Sequence, residues 1–258
     1  MNNTFDIKRF SMLFKKHTQE QGKTYLLSAG VLTGFMFLLF GFFSYSNDGH
    51  LPTNLQIPVF IFMSLIAGGI FTSIVFSELG DKSKAIPALM LPASHFEKYL
   101  IGWMYSYLIF QVVYVGVFYL TAGIIVSMGH HELEVDKVIN IFDTQGNQCW
   151  YAFVMYSFIH AFAFFGAIFF KKLHFIKTAI AFFICLIILI IINNPIINAI
   201  IPGVVKSVPF QQLAINEHER YISIWPTENM VNASLCVLAL VVLLLWTATY
   251  LRVKEKEV

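Results

Sequence analysis

The chain has 258 residues, of which 57% are hydrophobic and only 12% charged, with a formal net charge of +2 and a mean hydropathy of +0.69. A soluble domain carries about 25% charged residues, so a water-soluble fold is excluded. The nearly balanced charge also excludes nucleic acid as a partner, since that would call for a strongly basic face on a folded domain.

The apolar residues gather in six blocks, at 25–44, 57–77, 99–128, 150–170, 178–193 and 230–251. About 20 apolar residues cross the roughly 30 Å hydrocarbon layer as a helix, and the blocks approach or exceed that length. Backbone groups find no partner in lipid, so the blocks must be helical. None alternates polar with apolar residues, which excludes a barrel. The expected fold is an all-α polytopic membrane protein. It has an N-terminal amphipathic interfacial helix in residues 1–24, one domain of six transmembrane helices at 25–251, and a tail at 252–258. The first block begins only at Tyr25, after a charged segment and without a small-x-small cleavage site, so it is expected to remain as an anchor.

In chain order, residues 5–20 place Ile7, Phe10, Leu13, Phe14 and His17 at helical spacing on one stripe, with Lys8, Arg9, Lys15, Lys16 and Glu20 mostly off it. Such a basic amphipathic helix is expected to lie on the lipid headgroups. Gly22-Lys23-Thr24 imitates the end of a phosphate-binding loop, but His17 stands where that motif needs a glycine. Any use of ATP must therefore come from another polypeptide, and no cofactor is expected. In the first two blocks Gly30-x-x-x-Gly34 and Gly68-Gly69 permit close helix approach, suited to packing or to a homodimer seam.

The connection 78–98 reads ELGDKSKAIPALMLPASHFEK. Pro87 and Pro92 bracket Ala88-Leu89-Met90-Leu91, which predicts a short helix with fixed ends. Ile86, Leu89 and Met90 would share a face that either folds back on the bundle or fills a groove on a partner. Ser94-x-x-Glu97 is a capping box and predicts that the third helix starts near His95. From there to Met128 a helix would be about 51 Å long, so it must tilt or project into the cytosol.

The outer connection 129–149 carries His130, His131, Glu132, Glu134 and Asp136. Adjacent histidines on a helix diverge by about 100°, so a solvated polar loop is expected rather than a metal site. The largest outer segment, 194–229, is divided by Pro195, Pro202, Pro209 and Pro226, and its stretch 196–205 is apolar enough to re-enter the bilayer surface.

His160 in the fourth span and Gln111 in the third are the candidate functional groups inside the spans. Each either lines a translocation path or hydrogen-bonds across helices as glue. A proton-coupled, ATP-independent transporter built on His160 is the alternative class. The spans hold no set of groups for an intramembrane enzyme. The three cysteines, Cys149, Cys185 and Cys236, are read as small apolar fillers.

Orientation follows from the basic residues. Fourteen of the 17 lie in the two terminal segments and alternate connections: Lys8, Arg9, Lys15, Lys16 and Lys23; Lys82, Lys84 and Lys98; Lys171, Lys172 and Lys177; Arg252, Lys254 and Lys256. Only Lys137, Lys206 and Arg220 lie on the other side. Both termini are expected in the cytoplasm.

This arrangement, together with Leu91-Pro92-Ala93-Ser94 followed by Glu97-Lys98, resembles the ABC-2 type exporter permeases, small bacterial inner-membrane proteins. The resemblance implies that the 78–98 loop docks on a separate ATP-binding subunit, with Ile86, Leu89 and Met90 as contacts and Asp81, Lys84 and Glu97 giving polar register. It also implies a dimer of permeases, homodimeric or heterodimeric, that encloses an export path.

Overall fold

The computed structural model describes residues 5–80, 94–129, 137–143, 149–170, 173–201, 204–207, 213–217 and 220–256. Among these it has six helices long and apolar enough to cross a membrane. They are α1 (Ile7–Ser46), α2 (Thr53–Gly80), α3 (His95–Met128), α4 (Trp150–Phe169), α5 (His174–Ile200) and α6 (Glu228–Lys256).

The first departure from the sequence reading is α1. No break separates a surface helix from a first span: 40 residues run as one helix, about 60 Å long, or twice the hydrocarbon thickness. Asp6 caps it, its carboxylate accepting from the Lys8 N–H at 2.8 Å and the Arg9 N–H at 3.4 Å. Continuity is possible because the N-terminal stripe is occupied by protein. Phe14 stacks on Tyr105 with centroids 5.1 Å apart, and His17 lies 4.7 Å from the same ring. Only Ile7, 73% exposed, keeps the outward position expected of the whole stripe.

The helix α4 is the hub. It packs against α2, α5 and α6, and buries Ala152, Tyr156, His160, Ala161, Phe164, Gly166 and Ala167. Small residues set two of these approaches. A Cβ added at Gly68 of α2 would lie 2.9 Å from the Phe110 ring and closer still to Tyr156; one at Gly166 would strike Thr178 of α5. A Cβ added at Gly30 or Gly34 would meet nothing within 4 Å among the described residues.

The core lies between α1, α2, α3 and α4, around Met36, Phe40, Phe60, Phe118 and Tyr156. Phe60 meets Phe118 edge-on at 5.0 Å, and the Tyr114 hydroxyl donates to the Phe60 carbonyl at 2.6 Å. The helices α5 and α6 instead present apolar side chains outward, among them Ile180, Ile187, Ile191, Leu240 and Leu244. Cys185 and Cys236 share that exposure; Cys149 is buried, which pushes its thiol above the usual range.

The connections 129–149 and 194–229 also depart from expectation. Within 129–149 the described stretch 137–143 is part of the core, with Ile139 and Ile141 buried. Gln56, wholly buried in α2, holds it. Its amide NH2 donates to the Leu51 carbonyl at 2.9 Å and the Lys137 carbonyl at 3.0 Å, while its oxygen accepts from the Ile139 N–H at 3.1 Å. The His130, His131, Glu132, Glu134 and Asp136 group lies outside the described residues.

Further on, α5 runs through Pro195 to Ile200. Continuing the helix forfeits one hydrogen bond, whereas unwinding in apolar surroundings would strand several backbone groups. Residues expected to re-enter the bilayer therefore extend the helix as far as Ile200. A three-stranded antiparallel sheet follows: β1 (Val204–Ser207), β2 (Leu213–Glu217) and β3 (Arg220–Ile224). In it Ile215 pairs with Ile222, and Glu217 with Arg220.

Gly68→Val is expected to lower stability by about 1–3 kcal/mol through overpacking against Tyr156 and Phe110. Gly30→Ala, at an open position, is expected to stay within about 0.5 kcal/mol. Thermal unfolding in mild detergent compares the two; equal losses would contradict the α2–α4 approach.

Candidate functional site

Two polar centres each join three helices of the bundle. One lies where α1, α3 and α6 meet at one end of the bundle; the other lies midway along α4.

The first forms at the start of α3. Ser94 is the N-cap, its side chain accepting from the Glu97 N–H at 3.2 Å, and Glu97 returns the bond from the Ser94 N–H at 2.9 Å. The predicted capping box is present. The Glu97 carboxylate does more than cap. It accepts from the Asp6 N–H at 2.9 Å and takes a two-pronged contact from Arg9, whose Nε and Nη2 each lie 2.7 Å from an oxygen. Paired, planar contacts of this kind are the strongest ion-pair geometry available to a carboxylate.

The Glu97 side chain is 0% exposed and that of Arg9 27%. The Glu97 carboxylate is thus engaged within the chain and anchors the exit of the 78–98 loop to the beginning of α1. The other proposed docking residues, Asp81, Lys84, Ile86, Leu89 and Met90, lie outside the described residues. Aromatic contacts join the same elements. Phe96 meets Phe5 at 6.1 Å and Tyr250 of α6 at 6.0 Å, both edge-on, which brings the start of α1, the start of α3 and the end of α6 together.

The second centre is His160, buried completely. The Trp246 indole N–H donates to its Nδ1 at 3.2 Å, and its Nε2 lies 2.8 Å from the Ser106 hydroxyl. An indole can only donate, so Nδ1 is the acceptor and Nε2 carries the proton. The Nε2–H donates to Ser106, whose own hydroxyl donates to the Gly102 carbonyl at 2.8 Å. The ring is a neutral imidazole with both nitrogens satisfied. Tyr107, Tyr156, Phe164 and Trp246 pack around it, with centroids 5.1 to 5.9 Å away. Such an arrangement binds α3, α4 and α6 together and leaves no lone pair for relaying a proton. Gln111 is not brought to it; that residue is half-buried farther along α3.

Ser106 reaches His160 from a π turn in α3 (Met104–Ile109), flanked by α-helix over His95–Trp103 and Phe110–Met128. Within it the Phe110 N–H passes over the Ser106 carbonyl, donating to Tyr105 and Tyr107 instead. The Ser106 carbonyl accepts from the Tyr156 hydroxyl at 2.5 Å. Sequence reasoning found His160 but missed Ser106, Trp246 and Arg9. An indole or a serine in a helical block carries no sign of the residue it faces, and Arg9 reads as one basic residue among several.

Searches for relatives give no identification: no protein-family model, no curated protein and no solved structure matches this chain.

Arg9→Met is expected to lower the melting temperature more than the double variant Arg9→Met/Glu97→Gln, because the single change leaves a buried carboxylate without its counter-charge. A single variant no less stable than the double would contradict a buried ion pair. His160→Leu is expected to cost about 1–2 kcal/mol, the worth of hydrogen bonds between membrane helices, in unfolding from mixed micelles. No measurable loss would contradict the bridging role.

Proposed function

We propose that this chain is the membrane-spanning permease subunit of an ABC-2 type exporter. In this reading it sits in the inner membrane of a bacterium with both termini in the cytoplasm. It pairs with a second permease copy around a translocation path, and a separate ATP-binding subunit supplies the energy. The chain itself is not an enzyme; ATP hydrolysis belongs to that partner.

The observation that carries the reading is the anchored exit of the 78–98 loop. A loop that transmits a partner's movement needs an end that cannot slip, and Glu97 supplies one through bonds to Ser94, Asp6 and Arg9. A push on the loop would then reach α3 directly and α1 through the ion pair. The basic residues Lys82 and Lys84 within the loop, and Lys8, Lys15 and Lys16 on α1, support placing this end in the cytoplasm. The open Gly30 and Gly34 positions of α1 support close approach by another helix, as a second copy would provide. Coupling is mechanical: two ATP-binding subunits close on nucleotide, the loop moves with them, and the path between the permeases changes its access.

The alternative, proton-coupled transport through His160, loses support from the saturated hydrogen bonding of that ring. A relay needs a nitrogen that exchanges its proton with a path, and both nitrogens here are engaged with side chains of the bundle.

The test is a pull-down from native membranes with Leu89→Asp, which places a charge on the proposed docking face. The variant is expected to reach the membrane in normal amount and to lose the ATP-binding subunit. Undiminished co-purification would contradict docking at Leu89.

A further inference from the structure

The π turn of α3 is placed between two separately anchored halves. The first half, His95–Trp103, is tied at Glu97 to Arg9 and the Asp6 N–H, and at Tyr99 to the Trp246 carbonyl through a hydroxyl bond of 3.1 Å. The second half, Phe110–Met128, is built into the core, with Tyr114 bonded to Phe60 and Phe118 packed on Phe40 and Phe60.

Between them, consecutive residues of the turn reach different elements. The Tyr105 hydroxyl contacts the Thr18 hydroxyl of α1; Ser106 meets His160 and Tyr156 of α4; and the Tyr107 hydroxyl pairs with Ser157 at 2.7 Å while its ring lies against Trp246 of α6. A π turn has wider hydrogen-bonded rings than the α-helix around it and recurs at functional sites. Here its Ser106 carbonyl and hydroxyl are both held from outside α3.

We propose that the π turn at Met104–Ile109 is a latched joint. The Tyr156–Ser106 and Trp246–His160–Ser106 bonds are the latch that holds it in the present arrangement, and releasing them lets the first half of α3 shift against the second. The helix α1 runs unbroken beside both halves, so the movement is a small tilt or axial rotation rather than a wide swing. The latch draws on α4 and α6 together, so a displacement of α6 at Trp246 would reach α3 through His160. This inference rests on contacts among α3, α4 and α6 and does not depend on the permease reading.

The test is hydrogen–deuterium exchange of the full chain in lipid nanodiscs, comparing wild type with Tyr156→Phe and Trp246→Phe. Each variant removes one donor of the latch and keeps an aromatic ring in place. Tyr114→Phe is the control, removing an equivalent buried hydroxyl-to-carbonyl bond away from the turn. Losing one hydrogen bond corresponds to up to about tenfold in a local opening equilibrium. The expected result is exchange accelerated severalfold, up to about tenfold, in peptides covering 104–110 for both latch variants, with the flanking halves unchanged and Tyr114→Phe without effect there. Unchanged exchange at 104–110, acceleration spread evenly along α3, or an equal effect from Tyr114→Phe would each overturn the latch.

Discussion

In a bundle surrounded by hydrocarbon, a buried donor or acceptor is favoured where another part of the chain answers it. An unmet one costs several kcal/mol in hydrocarbon-like surroundings. That constraint acts beside packing to decide which segments meet, because lipid tails are as apolar as Phe or Ile and burial of apolar surface alone gives helices little reason to prefer one another. Gln56 holds the stretch 137–143 against α2; Glu97 joins α1 to α3; His160 joins α3, α4 and α6; Tyr114 joins α3 to α2. Each bond spans a long sequence separation, and together they outline the fold.

The same constraint accounts for the placement of the unusual backbone. The π turn is stable where Tyr156 and His160 can engage Ser106, and the Pro195 defect is confined within a helix that otherwise keeps its bonds. The irregular segment at 137–143 is accepted into the core because the Gln56 amide serves backbone groups on it from both of its ends. At the π turn and at 137–143 the chain departs from simple helix where side chains of other elements answer its polar groups.

Much of the helical layout was legible in the sequence, since the spans are fixed by length and apolarity and neither depends on tertiary context. The capping box was legible for the same reason: Ser94 and Glu97 are three residues apart and act locally. What could not be read is everything set by residues distant in sequence. The stripe Phe10, Phe14 and His17 has one pattern whether lipid or Tyr105 covers it, so the surface helix and the continuous α1 are indistinguishable until α3 is placed. The run Val138-Ile139-Asn140-Ile141-Phe142 is too short to stand out beside a polar loop, and its burial depends on Gln56. The strands Leu213–Glu217 and Arg220–Ile224 are short and do not alternate strictly, LAINE and RYISI, and the prolines around them drew the reading toward irregular structure. Of the candidate site residues, His160 was visible as an oddity in its span, whereas its role is written in Trp246 and Ser106.

The proposed function requires that the end of the bundle where α1 begins, α3 begins and α6 finishes be the cytoplasmic end, and that the sheet-bearing segment after α5 be on the other side. Substituted-cysteine labelling in intact cells tests it most directly, using a chain whose own three cysteines are replaced by alanine. Cysteines at Lys16 and Lys254 are predicted to react with a membrane-impermeant maleimide only after the cells are opened, and a cysteine at Trp225, 71% exposed, to react from outside. Labelling of Lys16→Cys and Trp225→Cys from the same side would contradict the account.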